Sequence, residues 1–267
     1  MITSPTKKFI KNPIFISYTS LNDFLKCKRS YYLKNIYRDP KSGLRVQIAS
    51  PYLSLGSTVH DTARWFLDMK GQASLEQLED KFRNFWLKYR GKRGGFESDE
   101  VEGDFGRRGL KMLSNFFKNW KILGSEMPPL NFPKYPLFED VILMGNMDFV
   151  GEQEDGSLHV LDFKTGLNDE KDPLQLYIYA ILAEANLQKP VSKIGFWYLD
   201  RDSEPKEAVL DPLDKTLDFL KEKAIELKKA IKEGHWVCKN NTLPEGGLCR
   251  ECQAYQAILD GKGEFVF

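Results

Sequence analysis

The stretch Leu158-His-Val-Leu-Asp-Phe-Lys-Thr-Gly166 decides how this 267-residue chain folds. Residues 158–163 form a short, mostly apolar run, and the turn-forming residues Glu154-Asp-Gly-Ser157 stand directly before it. An apolar run bounded by turn residues predicts a β-strand. Residues 141–150 form another such run on the other side of the turn, so we expect the two strands to make a hairpin.

The segments after the hairpin predict the fold class. Residues 173–185 have the length and pattern of a helix, and residues 193–199 have those of a further strand. The order strand, hairpin, helix, strand is typical of a mixed sheet with helices packed against it. We therefore expect an α/β fold with a mixed central sheet in residues 135–200, flanked by helices.

Helical spacing of apolar residues predicts the rest of the architecture. Ser20 is the candidate N-cap of a helix that contains Cys27, and Gly56-Ser57 opens another helix. We interpret residues 1–267 as one domain with a helical subregion at about 60–130 inserted before the sheet core. The helices predicted outside that core are residues 20–37, 56–67, 75–89, 105–123 and 212–233.

The composition excludes few functions. The chain has 39 basic and 38 acidic residues, a net charge of +1, so charge alone does not indicate a nucleic-acid partner. Residues 1–11 carry three lysines but no apolar core, so we expect no secretory signal peptide. No apolar run approaches the about 18 residues of a membrane-spanning helix. We expect a cytoplasmic protein without a membrane partner.

The triplet Asp162-Phe-Lys164 carries no information by itself, because Asp-x-Lys occurs repeatedly in this chain. Only the copy at Asp162 ends an apolar strand and is followed by Thr165-Gly166. It also has an acidic residue one strand back, Asp148 in Met144-Gly-Asn-Met-Asp148. The residues that begin a copy of the triplet are Asp39, Asp68, Asp162, Asp169 and Asp260.

Two carboxylates on neighbouring strands suit a divalent cation, since Mg²⁺ and Mn²⁺ prefer hard oxygen ligands. A bound metal lowers the pKa of its water and polarises a phosphate, which are the requirements of phosphodiester hydrolysis. Lys164 lies two residues after Asp162, so both side chains point to the same strand face. Its ammonium can stabilise the negative charge that develops at the phosphate. Asp148, Asp162 and Lys164 are therefore the candidate catalytic residues.

This interpretation requires Asp148 and Asp162 to share a face of the hairpin. A loop of two or four residues would pair Asp148 with Phe163 and place Asp162 on the other face. A three-residue loop centred on Gly156 would place Asp148 opposite Lys164, on one face with Asp162. We predict a loop with an odd number of residues, or a bulge.

Five short motifs follow one another along the chain. They are Cys27-Lys-Arg-Ser-Tyr31, Gly56-Ser-Thr-Val-His60, Gly145-Asn-Met-Asp148, Asp162-Phe-Lys-Thr-Gly166 and Gln175-Leu-Tyr-Ile-Tyr179. This ordered series resembles the PD-(D/E)XK nuclease superfamily, in particular its RecB-like branch, which includes the CRISPR-associated iron–sulfur exonucleases. The resemblance covers about residues 15–255, although Lys28 replaces the proline of the first motif.

The resemblance implies a restriction-endonuclease-like fold and a larger site. It implies that His60 and the backbone carbonyl of Phe163 join Asp148 and Asp162 as metal ligands. A lone helical histidine is otherwise more often structural. Gln175 and Tyr179 are four residues apart and share a helix face, and the resemblance implies that they contact DNA or steady Lys164. The alternative for this pair is simple packing of the helix on the sheet.

Cys27, Cys238, Cys249 and Cys252 form a second candidate site. The resemblance implies that they hold a four-iron, four-sulfur cluster that ties residue 27 to residues 238–252. The family pattern has a further cysteine after the Cys-x-x-Cys pair, whereas here Cys238 stands before it. Thiolates also suit zinc, so zinc and unligated buried thiols remain alternatives.

We therefore expect a Mg²⁺- or Mn²⁺-dependent deoxyribonuclease, with exonuclease action on single strands or DNA ends. The alternative is a non-catalytic DNA-binding iron–sulfur module of a repair or CRISPR complex, and a third interpretation is an unrelated α/β enzyme. The basic stretch Lys88-Tyr-Arg-Gly-Lys-Arg93 is either a DNA-facing loop or an ordinary solvated one. Glu139 either lies near the metal or caps a strand edge.

Overall fold

The computed structural model of the protein describes residue 2, residues 12–242 and residues 247–261. The strands in these ranges are β1 (Ile14–Ile16), β2 (Ser125–Glu126), β3 (Lys134–Phe138), β4 (Val141–Met144), β5 (Phe149–Glu152), β6 (Leu158–Lys164), β7 (Val191–Tyr198) and β8 (Lys206–Ala208). The α-helices are α1 (Tyr18–Lys26), α2 (Lys28–Tyr31), α3 (Pro51–Asp68), α4 (Leu75–Trp86), α5 (Asp99–Asn119), α6 (Leu174–Leu187), α7 (Leu213–Glu233) and α8 (Arg250–Leu259).

The strands form two mixed sheets flanked by helices, which confirms the predicted α/β class. The larger sheet has the order β2-β5-β6-β7-β8, in which only β6 and β7 run parallel, joined by α6. The smaller sheet has the order β1-β4-β3, with β1 parallel to β4. The sequence predicted one central sheet, whereas the structure has two, because β1, β3 and β4 form a sheet of their own.

The prediction of one strand over residues 141–150 is wrong. Residues 145–148 separate β4 from β5, and the two strands belong to different sheets. Gly145 lies at the break, where a Cβ atom would stand 3.1 Å from the Tyr179 ring. The missing side chain lets the backbone pass close to α6, and the chain changes sheets there.

The five-stranded sheet is buried on both faces, and β6 lies at its centre. Leu158 and Val160 belong to the core that includes α6 and α7, whereas Leu161 and Phe163 belong to the core that includes α3, α4 and α5. A strand alternates its side chains between faces. Asp162 therefore points to the α6 side of the sheet.

Three helices begin earlier than predicted, and one of them, α5, starts at Asp99 rather than at about residue 105. Ser17, not Ser20, is the N-cap of α1: its hydroxyl accepts from the Ser20 backbone N–H at 3.2 Å, and the Ser20 hydroxyl accepts from the Ser17 N–H at 2.9 Å. Helix α3 begins at Pro51 rather than at Gly56. Proline suits the first helical position, because its missing N–H has no partner there anyway.

Within the described parts of the chain, no helix combines the length and apolarity that crossing a bilayer requires.

Candidate active site and cysteine cluster

The β5–β6 hairpin places Asp148 beside Asp162. Phe149 pairs with Leu161, so Asp148, one residue before β5, stands next to Asp162 in the same register. The Gln153 N–H donates to the Ser157 carbonyl at 2.8 Å, which closes a three-residue loop with Gly156 at a φ of +80°. The prediction of an odd loop is confirmed, but its centre is Asp155 rather than Gly156.

The difference in register has a local cause. The last loop position takes the left-handed backbone conformation that glycine adopts at no steric cost, so Gly156 ends the loop. Asp155 fixes the turn, since its carboxylate accepts from the Ser157 backbone N–H at 2.9 Å. Consequently Asp148 lies opposite Asp162, and Lys164 lies one pleat further along the same face.

Asp162 and Lys164 belong to one hydrogen-bonded network with α6. The Lys164 Nζ lies 2.9 Å from the Asp162 Oδ2 and donates to the Gln175 Oε1 at 2.7 Å. The Gln175 amide donates to the Asp162 Oδ1 at 2.8 Å and to the Tyr179 hydroxyl at 3.0 Å. Gln175 therefore touches both the carboxylate and the ammonium of the Asp-x-Lys triplet.

Asp148 links three separate segments of the chain. Its Oδ1 lies 2.7 Å from the Nδ1 of His60 on α3. Its Oδ2 accepts from the Phe163 backbone N–H at 2.7 Å. The Arg64 guanidinium, one helical turn after His60, contacts the Asp148 carbonyl at 3.4 Å. His60 thus lies within hydrogen-bonding distance of Asp148, which places it beside one of the two carboxylates.

The two carboxylates are electrostatically coupled. Burial raises the pKa of Asp162 to about 7, with a further rise from the charge of Asp148, although Lys164 and His60 act in the opposite direction. Burial lowers the pKa of His60, but the charge and hydrogen bond of Asp148 outweigh it and raise that pKa to about 9. Two acidic and two basic side chains therefore share a site in which Asp162 is only 4% exposed.

The donor set fits a divalent cation such as Mg²⁺ or Mn²⁺. Two carboxylates supply hard oxygen ligands, and an imidazole nitrogen is acceptable to Mn²⁺. A cation of charge +2 would also offset the repulsion between Asp148 and Asp162. As the side chains stand, the acceptors of both aspartates are occupied by protein donors, so a cation has to displace some of them.

Sequence reasoning missed several residues around this site. Arg64 contacts Glu126 through both terminal nitrogens, and its position four residues after His60 is a signal that helical spacing offers. Arg108 on α5 donates to the Thr165 carbonyl at 2.8 Å and pairs with Asp200 at 2.9 Å. Nothing in the sequence pattern indicates Arg108, because its partners lie far away along the chain.

Two candidates lie outside the acidic site. Glu139 follows β3 and pairs with Lys228 on α7 at 2.6 Å. The basic stretch at residues 88–93 is not an open loop: residues 87–89 and 91–94 form short 3₁₀ turns. Glu102 on α5 holds these turns, since its carboxylate accepts from the Gly91 N–H at 2.8 Å.

The four cysteines form one buried cluster. Cys27 lies at the break between α1 and α2, Cys249 caps α8, and Cys252 lies in the first turn of α8. The ligand atoms of these three residues and Cys238 all lie within 4.8 Å of one another. The Sγ atoms of Cys27 and Cys252 are 3.6 Å apart, and the four thiols form no disulfide.

The cluster has the chemistry of a metal centre. Burial raises the pKa of the Cys238 thiol, but backbone N–H donors from Cys249 and Asn240 outweigh burial and bring it to about 7. Four thiolates around a tetrahedral zinc lie about 3.8 Å apart, which agrees with the observed spacing. A four-iron cluster places each thiolate on a different iron and requires wider separation. Ligation by four thiolates is chemically suitable for zinc and for an iron–sulfur cluster.

Near the cysteine cluster, aromatic packing joins the segment around α2 to the segment that follows α7. Tyr32 stacks on Trp236 at a centroid distance of 5.4 Å, and Tyr31 contacts the same ring at 5.8 Å. Arg29 donates to Gln256 on α8. The cysteine cluster therefore lies within a packed junction between α2 and the segment after α7.

The geometry and the family comparison together define the protein. Paired carboxylates on adjacent strands, with a lysine on the same face, are the groups that metal-assisted phosphodiester hydrolysis uses. A sequence model of the PD-(D/E)XK nuclease superfamily matches residues 16–257, and the chain belongs to this superfamily. It is thus a nuclease of a class that uses divalent metals. No curated protein matches the chain.

Proposed function

We propose that the protein is a Mg²⁺- or Mn²⁺-dependent deoxyribonuclease of the RecB-like branch, acting as an exonuclease on single strands or DNA ends. The observation that carries this proposal is the joined network of Asp162, Lys164 and Gln175 beside the His60–Asp148 pair. A buried arrangement of this kind costs stability unless every member is satisfied. A buried network of charged groups where β5 begins and β6 ends therefore supports a chemical role for these residues rather than a purely structural one.

The groups that would hold the metal are the side chains of His60, Asp148 and Asp162 and the carbonyl of Phe163. A bound divalent cation supplies a water of lowered pKa and polarises the scissile phosphate. Arg64 contacts the backbone carbonyl of Asp148 and pairs with Glu126, so it helps to position this proposed ligand, and it lines the same pocket as His60 and Asp148.

Lys164 acts as a fixed positive charge. Burial lowers its pKa, but the charge and hydrogen bond of Asp162 outweigh burial and raise it, so the ammonium remains protonated. It also lies 4.8 Å from the centre of the Phe196 ring. A protonated lysine held in this way stabilises developing negative charge on the phosphate rather than accepting a proton.

Gln175 and Tyr179 position Lys164. The Gln175 side chain accepts from Lys164 and donates to Asp162, and the Tyr179 hydroxyl accepts from Gln175. Burial and the charge of Asp162 raise the pKa of Tyr179, so the phenol stays neutral. The pair therefore orients the triplet through two neutral side chains, of which Gln175 bonds directly to the ammonium of Lys164 and the carboxylate of Asp162.

The cysteine cluster is proposed to hold a structural metal centre. The resemblance to the iron–sulfur exonucleases favours a four-iron, four-sulfur cluster, and the sulfur spacing favours zinc as the second candidate. Metal analysis of anaerobically purified protein distinguishes them. Iron with acid-labile sulfide and broad visible absorption supports the cluster, and one zinc per chain in colourless protein supports zinc.

The proposed activity is tested by Mn²⁺-dependent degradation of end-labelled DNA. Asp162→Ala is expected to abolish cleavage, because it removes a metal ligand and the partner of Lys164. Asp39→Ala is the matched control, since Asp39 begins another Asp-x-Lys copy and is a half-buried residue just before a turn, where its carboxylate accepts from the Ser42 N–H. Equal activity of wild type and Asp162→Ala would refute the assigned site.

A further inference from the structure

An open groove lies beside the proposed metal site on the side of α3. It has a volume of about 600 Å³ and is lined by residues that include Tyr52, Leu53, Gly56, His60, Tyr89 and Thr165. We propose that this groove is a stacking site for the bases of a single DNA strand, with Tyr52 as the principal platform. The proposal rests on the proposed nuclease function and names the form of its substrate.

The first turn of α3 exposes a large apolar surface. Tyr52 is 59% exposed and Leu53 is 67% exposed, although both lie beside the site rather than on a remote surface. The Tyr52 ring is held in place by Phe105 on α5, with ring centroids 5.2 Å apart in an edge-on arrangement. An exposed ring that is fixed by a neighbour is well suited to base stacking, which is tolerant of sequence.

The groove leads directly to the proposed metal ligand His60. Tyr52, Gly56 and His60 are spaced four residues apart on α3, so they follow one side of the helix. Eight residues of helix span about 12 Å, which corresponds to roughly two to four nucleotides of a strand. At Gly56 a Cβ atom would lie 3.2 Å from the Thr165 hydroxyl, so this glycine lets α3 approach the turn after Lys164.

The charges beside the groove suit a phosphate backbone. The exposed side chains of Lys88, Arg90, Lys92 and Arg93 follow one another without an acidic residue between them. Arg90 is 3.6 Å from Glu102 but remains 65% exposed, and the Lys88 ammonium lies 5.1 Å from the Tyr89 ring centre. The carboxylate of Asp61 also lines the groove.

The basic turns are fixed against the start of α3. The Ser54 hydroxyl donates to the Gly94 carbonyl at 3.0 Å. Gly95 has a φ of +82°, and a Cβ atom there would lie 2.8 Å from the Ser50 nitrogen. The basic turns are thereby held against the start of α3, where Tyr52 lies, so one strand can place its bases on the aromatic side and its phosphates on the basic side. A duplex hides its base faces within the stack except at its two ends, so a duplex without ends cannot use the platform.

Binding separates this proposal from catalysis. Fluorescence anisotropy of a labelled oligothymidylate, without added Mg²⁺ or Mn²⁺, is measured for wild type, Tyr52→Ala and Tyr52→Phe. Tyr52→Ala is expected to weaken binding about tenfold, whereas Tyr52→Phe retains the ring and binds like wild type. Ile225→Ala on α7 is the matched control, because it removes a side chain of similar exposure, 57%, away from the groove.

A covalently closed circular duplex, which has neither ends nor unpaired bases, completes the test as an unlabelled competitor. Its binding is expected to change less than twofold in Tyr52→Ala, because stacked bases do not reach the ring. Equal losses on single strand and duplex, unchanged single-strand binding in Tyr52→Ala, or no binding by wild type would each overturn the stacking site. Wild-type binding that depends on Tyr52, without any Mn²⁺-dependent cleavage, would instead support the site while refuting the proposed nuclease function.

Discussion

The acidic site and the cysteine cluster both join distant parts of the chain, but they do so with opposite chemistry. His60 and Asp148 are 88 residues apart, and Cys27 and Cys252 are 225 residues apart. At the acidic site the side chain of every proposed metal ligand already has a protein hydrogen-bond partner. In the cluster, four buried thiols face one another, and their contacts with other polar groups are few.

This difference separates a chemical site from a structural one. A hydrogen-bonded site keeps its shape by protein contacts, so its metal adds reactivity more than stability. Thiolates that face one another depend on a shared metal to offset their repulsion, so the metal contributes directly to folding. Variants of the acidic site should therefore lower cleavage activity, whereas variants of the cysteine cluster should lower the free energy of unfolding.

The largest effect is expected from Cys27→Ser. Loss of one thiolate from a structural metal centre should reduce the free energy of unfolding by about 4 kcal/mol or more. Urea denaturation under anaerobic conditions measures this loss. The companion variant His60→Ala, at the acidic site, should lose cleavage activity with a much smaller change in stability. A stability loss in His60→Ala that matches that of Cys27→Ser would erase the distinction between the sites.

Lys164→Gln, unlike Cys27→Ser, should lose cleavage activity while the protein remains stably folded. Removal of the ammonium is expected to slow DNA cleavage by about 10²- to 10³-fold, because a preorganised charge at the phosphate is lost. The folded protein should persist, since Asp162 can become protonated when its partner is absent. Single-turnover kinetics measure the cleavage rate, and a thermal melt of the same preparation measures the stability. If Lys164→Gln cleaves DNA at the wild-type rate, Lys164 is not a catalytic residue.

Metal binding at the acidic site should strengthen as the pH rises. A metal requires neutral His60 and ionised Asp162, whose pKa values are raised to about 9 and about 7. Both residues must release protons, so the Kd for Mn²⁺ is expected to fall at least about tenfold per pH unit between pH 6 and 8. Titration calorimetry in buffers of different ionisation enthalpy counts the protons. Binding without proton release would show that His60 is not a ligand.

The smallest effect is expected from Gly145→Ala. The added Cβ would lie 3.1 Å from the Tyr179 ring, so the tyrosine must shift and its hydrogen bond to Gln175 is disturbed. We expect a fewfold loss of cleavage rate, or about 1 kcal/mol. Gly166→Ala is the matched control, because a Cβ atom there meets nothing within 4 Å. Equal rates in both variants would argue against a positioning role for Tyr179.

The sequence predicted the central part of the fold well because its signals are local. The apolar strand β6, the helix α6 and the amphipathic helix α7 each have a periodicity that needs no knowledge of distant contacts. The shared face of Asp162 and Lys164 followed from strand alternation. The shared face of Asp148 and Asp162 was a requirement of the proposed site; the predicted odd loop is confirmed, but its centre was wrong by one residue. The assignment of the other roles at the site stays a prediction.

The failures have a common physical cause. An apolar run does not indicate where the chain changes sheets, so β4 and β5 were merged across Gly145. Two serines three residues apart both suit an N-cap, and backbone geometry selects Ser17 over Ser20. Arg108 acts on Thr165 across 57 residues of sequence, a contact that only the packing of α5 on the sheet creates.

The position of Cys27 has a consequence for how the protein is made. Synthesis proceeds from the N-terminus, so Cys27 leaves the ribosome long before Cys238, Cys249 and Cys252 do. During that interval Cys27, between α1 and α2, has no cysteine partner, while the sheet and its helices can already fold. A metal centre that uses all four thiolates, as proposed, can therefore form only late in biogenesis, and a chain interrupted before Cys249 would lack the cysteine cluster that joins the first helices to the rest of the protein.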